Sequence, residues 1–565
     1  MRRAWFGLIG RVGLLGVALP LVACGSEGET SQASSKAPSY PITEQRYTTL
    51  QQVWWPKEVP ASTLAERNAG TFKINDLDRY TELGFGVEKG PGEPWIEHDE
   101  LAPGWQTHTA GTRRSLLFFW HSSDPQVVDE ESPIRLEGVT GLSIGSTYRP
   151  QDHLVTQAFE SQVRTVRAIM EDLQRPLDFT IVTGDLADGG QHNELDWVFK
   201  ILEGGTIDPD SGKDDDPVKG AGNDYNDPYV SLGIGMPWYV TIGNHEVQYT
   251  GIADASQEVQ DAAKGTEVFQ GLDYFAGIAP APGVEGGFRD GSTPNADVTT
   301  QGPTPADADR YIPDLPELVS ILSAEPGLPI GHGYSMEDVD AGRGNYSFHP
   351  IEGLPLRIIA LNTLSSAIPG SEGAIDDAQW TWLQQELDAA DQAHEIVFVA
   401  SHHAAESIKL GDHKRADVES LLASHDNVIL HLCGHSHTAD SEIILPDAEA
   451  AAGHRGYWQV QTPSTLDFPM QTRFWELVDE GDGFVTLYAT ILEQNAPEDS
   501  LAHKARQIAA GHAWFQNSAA RDDFAMRAAH RNLKLHFKLP DDVAAGIAAA
   551  PAKDSIASED TLANY

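Results

Sequence analysis

Five short apolar runs, scattered over about three hundred residues, each break at the C-terminal end into a turn carrying an acid, an amide or a histidine. Residues 116–120 (LLFFW) lead into Ser123-Asp124-Pro125-Gln126, and residues 179–183 (FTIVT) lead into Gly184-Asp185 and then Asp188-Gly189-Gly190. Residues 238–242 (WYVTI) lead into Gly243-Asn244-His245-Glu246. Residues 396–400 (IVFVA) lead into Ser401-His402-His403, and residues 428–433 (VILHLC) into Gly434-His435-Ser436-His437. Runs of this length, rich in β-branched and aromatic residues and ended by turn formers, predict buried strands. In open α/β sheets the C-terminal edge of the strands is where ligands bind. Five such edges brought together would surround one point with oxygen and nitrogen donors, enough for two metal ions.

The intervening segments supply the rest of an α/β pattern. Residues 151–173 have helical spacing at Val163, Val166, Ile169 and Leu173 and end before Pro176, as a crossover between the first two strands would. The sheet resumes at 356–361, and residues 376–390 predict a helix with Trp380, Leu383 and Leu387 on one face. Residues 46–114 read as folded but carry no visible chemistry. Residues 204–228 are dense in Asp, Gly and Asn; Asp208, Asp210 and the acids at 214–216 would suit calcium, but the spacing is not that of an EF-hand and a solvated loop fits better. A long insertion, 247–343, follows His245 and Glu246 and is expected to overhang the site. Its His332, between two glycines, fits a structural position better than a site. Residues 501–540 predict a helical and then extended C-terminal segment, and the Ala-rich 541–565 a poorly ordered tail.

The five blocks in this order resemble the calcineurin-like metallophosphoesterases, whose pattern is DxH, GDxxD, GNH[DE], H and GHxH. Four blocks stand unaltered; in the first, Gln126 replaces the usual His. SDPQ with SPIRLE at 132–137, YRPQDH at 148–153, PIGHGY at 329–334 and TPSTLDFP at 462–469 look like a bacterial subgroup of large exported members. The resemblance implies a four-layer α/β/β/α sandwich over residues 46–500. It implies that Asp185 bridges two divalent cations (Mn, Fe or Zn), that Asp124 and His437 complete one with Gln126 as a weak ligand, and that Asn244, His402 and His435 hold the other. His245 would be the general acid, paired with Asp188. Glu246 would support its loop, and His403 would stand beside the ligands rather than among them. Hydroxide formed from a water shared by the cations would attack phosphorus. The neutral Gln126 would favour oxygen-preferring ions over zinc at the first position. Mono- and diesterase remain equally open, and His431 and Cys433 read as packing residues.

Composition changes the picture in three ways. Residues 1–23 hold Arg2, Arg3 and Arg11 before an apolar run too short to span a bilayer, which predicts a signal peptide. It ends in LVACG, like a bacterial lipobox, so Cys24 would be lipidated and residues 24–45 would form a tether. That anchors the protein to the cell envelope, with the outer membrane or cell surface favoured because Gly25 lacks the acid that often marks retention at the inner membrane. With Cys24 acylated, Cys433 has no partner for a disulfide. The formal charge is −46; removing the three arginines leaves 35 basic against 84 acidic residues, or −49. Such a surface disfavours nucleic acid, so the substrate that the resemblance implies is expected to be a small-molecule phosphoester. The competing expectation is a catalytically weak metal- or ligand-binding surface lipoprotein on the same fold; oligomeric state is open. HExxH does not occur.

Overall fold

The computed structural model describes residues 48–68, 80, 82–107, 113–135, 148–213, 219–266, 304–365, 368–446, 455–553 and 555–563. The expected signal peptide, Cys24, the tether and the acids at 214–216 lie outside these residues.

All five apolar runs form strands, and they divide between two sheets. In the seven-stranded sheet the order is Ile96–Leu101, Leu533–Lys538, Phe484–Glu493, Gln471–Gly481, Arg114–Ser122, Phe179–Val182 and Trp238–Val240. The last three run parallel, with Ser122 opposite Val182 and Val182 opposite Val240, so their polar turns leave the sheet side by side. The six-stranded sheet runs Tyr346–Phe348, Leu356–Ala360, Ile396–Ala400, Val428–Cys433, Tyr457–Gln461 and Asp440–Ile444. Ile396–Ala400 and Val428–Cys433 are parallel neighbours, with Ala400 opposite Leu432, which levels the other two turns. The chain is thus mixed α/β.

Because the central strands bury both faces, their sequences read as continuous apolar runs rather than alternating ones. One core joins the sheets: Leu117, Phe119 and Phe179 of the first meet Ile358, Phe398 and Leu430 of the second. Phe119 stacks on Phe179 at 4.7 Å between centroids and reaches Phe398 at 6.3 Å. On the outer face of the first sheet, Phe118 and Trp120 pack with Val163, Val166 and Ile169 of helix Val155–Leu173, the expected crossover. On the outer face of the second, Val397 and Val399 pack with Leu383 and Leu387 of helix Asp377–Ala393.

Two expectations are corrected. Residues 541–565 were expected to be loose, yet Asp541–Ala549 is a helix whose Val543 and Ile547, four residues apart, enter the core between the sheets. The Arg114 guanidinium donates to the carbonyls of Ile547, Ala548 and Ala550, satisfying the groups that a helix C-terminus leaves open. The loop at 204–228 is framed by a hairpin, Gly205–Ile207 with Tyr229–Ser231, so part of it is regular structure. His332 is structural, as its glycine neighbours suggested: it stacks on Trp238 at 3.5 Å and its ring nitrogens meet Trp238 O at 3.1 Å and Glu203 Oε1 at 2.8 Å. It thereby pins the insertion to a core strand.

Candidate metal centre

Three of the five turns, the first, second and last, use backbone that ordinary residues avoid. Asp124, Gln126, Asp185, His435 and His437 all have positive φ, between 41° and 68°. Non-glycine residues in this region cost free energy and persist where the surroundings dictate them, so their concentration in these turns is a functional signal. Close approach is the reason. At Gly434 a Cβ would lie 1.7 Å from Ser123 Oγ and 2.4 Å from Asp124 Oδ2, so only glycine lets the last turn close on the first.

The turns converge. His402 Nε2 lies 3.1 Å from Asp185 Oδ2, 3.1 Å from Asn244 Oδ1 and 3.2 Å from His435 Nδ1. His437 Nε2 lies 3.3 Å from Asp124 Oδ1. Donor atoms of Asp124, Asp185 and His402 fall within 4.8 Å of one another, as do those of His402, His403 and His435. The centre opens into a cavity of about 670 Å³, lined on this side by Gln126, Asp185, Asn244, His245, His435 and His437.

His402 gives its Nδ1 hydrogen to Thr183 O at 2.7 Å, so Nε2 is the ring nitrogen that faces the carboxylate and amide oxygens. His437 is engaged through Nδ1 by Asp467 at 2.7 Å, which turns Nε2 toward Asp124. Gln126 donates Nε2 to Asp185 Oδ2 at 3.3 Å, and its buried Oε1 has no partner among the described residues. Carboxylates in a dry site demand positive charge. Electrostatics say the same. Burial opposes charge on His402 and His437, yet Asp185 and Asp124 raise the first to about 9, and Asp124 with Asp467 raises the second to about 10. Against the cost of burial, His402 with His437, and His402 with His245, hold Asp124 and Asp185 respectively below the ordinary carboxylate range. Burial, then His402, push His435 down to about 3, leaving it a neutral donor. The residues therefore fit divalent cations.

The remaining expected residues fall around this centre. Glu246 accepts from Leu186 N at 2.5 Å and Gly243 N at 2.8 Å, tying two of the turns together. His403 stands beside the ligands with both ring nitrogens engaged, Nδ1 with Thr363 Oγ1 at 2.8 Å and Nε2 with Ser371 O at 3.1 Å. His431 meets Ser401 Oγ at 2.7 Å inside the core, and Cys433 is buried. His245 Nδ1 meets Asp188, but through the backbone: the carbonyl is 2.5 Å away and the nearest carboxylate oxygen 3.8 Å. The expected pair is thus made chiefly through the backbone, with the carboxylate also within ion-pair distance. The Asp188 carboxylate is held by two buried guanidinium groups instead, Arg135 at Oδ2 and Arg149 at Oδ1, the latter at 3.0 Å. Although burial works against it, these arginines keep Asp188 ionised. The His245 ring sits against Gly251, where a Cβ would lie 2.4 Å from Nε2.

Sequence reasoning missed Asp467, Arg135 and Arg149. All three lie in segments quoted above for their resemblance, but no spacing rule ties them to the five turns. Asp208 and Asp210, candidates for calcium, line a separate cavity of about 310 Å³ with Asp196, Asp307 and Asp309.

A family model described as calcineurin-like phosphoesterase matches residues 119–439, more than half of the 565-residue chain. No curated protein matches. Among solved structures, a dimetal phosphatase from Danio rerio is 15% identical with a TM-score of 0.38, over 67% of this chain and 97% of that one. A purple acid phosphatase from yellow lupin (Lupinus luteus) seeds is 10% identical with a TM-score of 0.32, over 80% of this chain and 68% of that one. These likenesses are too distant to carry an argument. The family match is enough, and it spans the first turn to the last: the chain belongs to the calcineurin-like phosphoesterases.

Proposed function

We propose that the protein is a hydrolase of small-molecule phosphoesters that depends on two divalent cations. The observation that carries this reading is the convergence of side chains on Asp124, Asp185, Asn244, His402, His435 and His437, whose oxygen and nitrogen atoms meet at 3.1–3.3 Å in a buried site. Asp185 would be shared, Asp124, His437 and Gln126 would hold one cation, and Asn244, His402 and His435 the other. Bound there, the cations supply neutralisation of phosphoryl charge and a water nucleophile active near neutral pH. The protein's own part is orientation and proton delivery. Asp185 uses Oδ1 to accept from His245 N at 2.9 Å, fixing the turn that carries His245 relative to the centre. His245 gives its Nδ1 hydrogen to Asp188 O, which leaves Nε2 to hold a proton for the departing alkoxide. Arg149 spans Asp188 and Asp467, at 3.0 and 3.3 Å, and so locks the His245 side of the site to the His437 side.

The test is hydrolysis of aryl phosphate mono- and diesters by manganese-loaded protein. Turnover that a chelator removes and manganese restores, and that His245→Asn lowers by about 10²–10⁴-fold without loss of metal, is the expected result. Bound metal without turnover would favour the catalytically weak binding lipoprotein, for which the neutral Gln126 speaks. The reading includes export and anchoring through Cys24. Among the described residues no helix is long and apolar enough to cross a membrane.

A further inference from the structure

The far side of the cavity is built by chain that lies beyond the family-matched residues. Helix Leu501–Gln516 presents Ala509, His512, Ala513 and Gln516 to it, a spacing of three, four and seven that places them on one face. Opposite stand Phe468, Pro469 and Phe524. The two phenyl rings are 5.2 Å apart, and Phe524 is braced from behind by Trp55 at 5.2 Å and by the Arg531 guanidinium at 4.1 Å. A braced aromatic pair facing two alanines is an apolar slot, kept open because the helix offers no side chain longer than a methyl at those two positions. Its volume, about 670 Å³ together with the centre, falls in the roughly 300–1,000 Å³ range that encloses a whole small ligand. The helix also sets a buried polar group, His512, in the slot. His512 is 2% exposed, and its Nε2 has no hydrogen-bond partner among the described residues. A buried polar atom left unpaired is costly unless a ligand completes it.

We propose that the C-terminal helices form a subsite for the organic group of the substrate, and that this group is aromatic with a polar substituent that meets His512. The inference rests on the phosphoesterase reading and deepens it. An aromatic ring seated between Phe468, Phe524 and the alanine face gains burial and edge or stacking contacts. The phosphoryl group of the same molecule then reaches the metal centre at the cavity's other end. A simple alkyl phosphoester would engage the centre alone.

Calorimetric titration of the manganese-loaded full chain with phenylphosphonate and methylphosphonate tests this. Phenylphosphonate should bind about tenfold more tightly or better, the order expected for burying one aromatic ring. In Ala513→Phe, which fills the slot, that preference should fall by about the same factor while bound metal stays at the wild-type level. Equal affinity for both ligands in the wild type, or a preference untouched by Ala513→Phe, overturns the subsite and leaves the phosphoesterase reading standing. If neither phosphonate binds and no phosphoester is hydrolysed, the reading of the centre itself fails, and the subsite with it.

Discussion

Asp467, thirty residues past the last motif histidine, decides how His437 is held. Its carboxylate fixes the imidazole tautomer and aims Nε2 at Asp124, the carboxylate–histidine arrangement that tunes metal sites. Asp467→Ala should therefore weaken manganese binding by about 10–100-fold, read by metal titration, with the fold intact by circular dichroism. An unchanged affinity would mean that His437 does not ligate. The contrast with the motif residues shows what a sequence discloses at this scale. Asp185 or His435 is legible because an apolar run must stop somewhere, and the residue at the stop is exposed to the reader by the change in pattern. Asp467 follows no such stop, and only tertiary packing brings it to the centre. Asp188 was legible as a site residue but not in its contacts: the pull of Arg135 and Arg149 on its carboxylate depends on side chains from two other segments, so His245 is left with the backbone carbonyl.

At the scale of elements, the site exists because three parallel strands of one sheet and two of the other end level with their neighbours. Register does this: Val182 lies opposite both Ser122 and Val240, and Ala400 lies opposite Leu432. A one-residue slip would exchange the faces of a strand and carry its turn out of line. These strands were legible because burial on both faces removes the polar alternation. The C-terminal segment was not. An alanine-rich stretch with isolated Val543, Ile547 and Leu562 has little amphipathic contrast, and its order comes from the pockets that receive those three residues, each at most 3% exposed, and from Arg114. Truncation after Pro540 should consequently destabilise the protein by roughly 5 kcal/mol, since burying each such side chain contributes about 1.5–3 kcal/mol. A truncated chain that melts at the wild-type temperature would show that the segment adds nothing.

Across the whole molecule, acids outnumber bases 84 to 38, and some of that surplus is buried. Glu131 is an instance: burial first, then Asp129, Asp210 and Glu130, push it up to about 10. A carboxyl raised in the fold binds a proton that the unfolded chain releases, so its contribution to stability is complete below its ordinary value of 4.5 and is lost as pH rises toward 10. Glu131→Gln removes that loss, and its melting temperature should gain on the wild type steadily between about pH 5 and about pH 10; parallel curves would contradict the assignment. The larger claim is that residues from both sheets fold onto one pair of cations. Elemental analysis of bound divalent metal after exhaustive dialysis tests it most directly. The account predicts two ions per chain in the wild type and a loss of both in Asp185→Asn, since that carboxylate is the shared ligand. Fewer than two ions in the wild type, or a content that Asp185→Asn does not change, would contradict it.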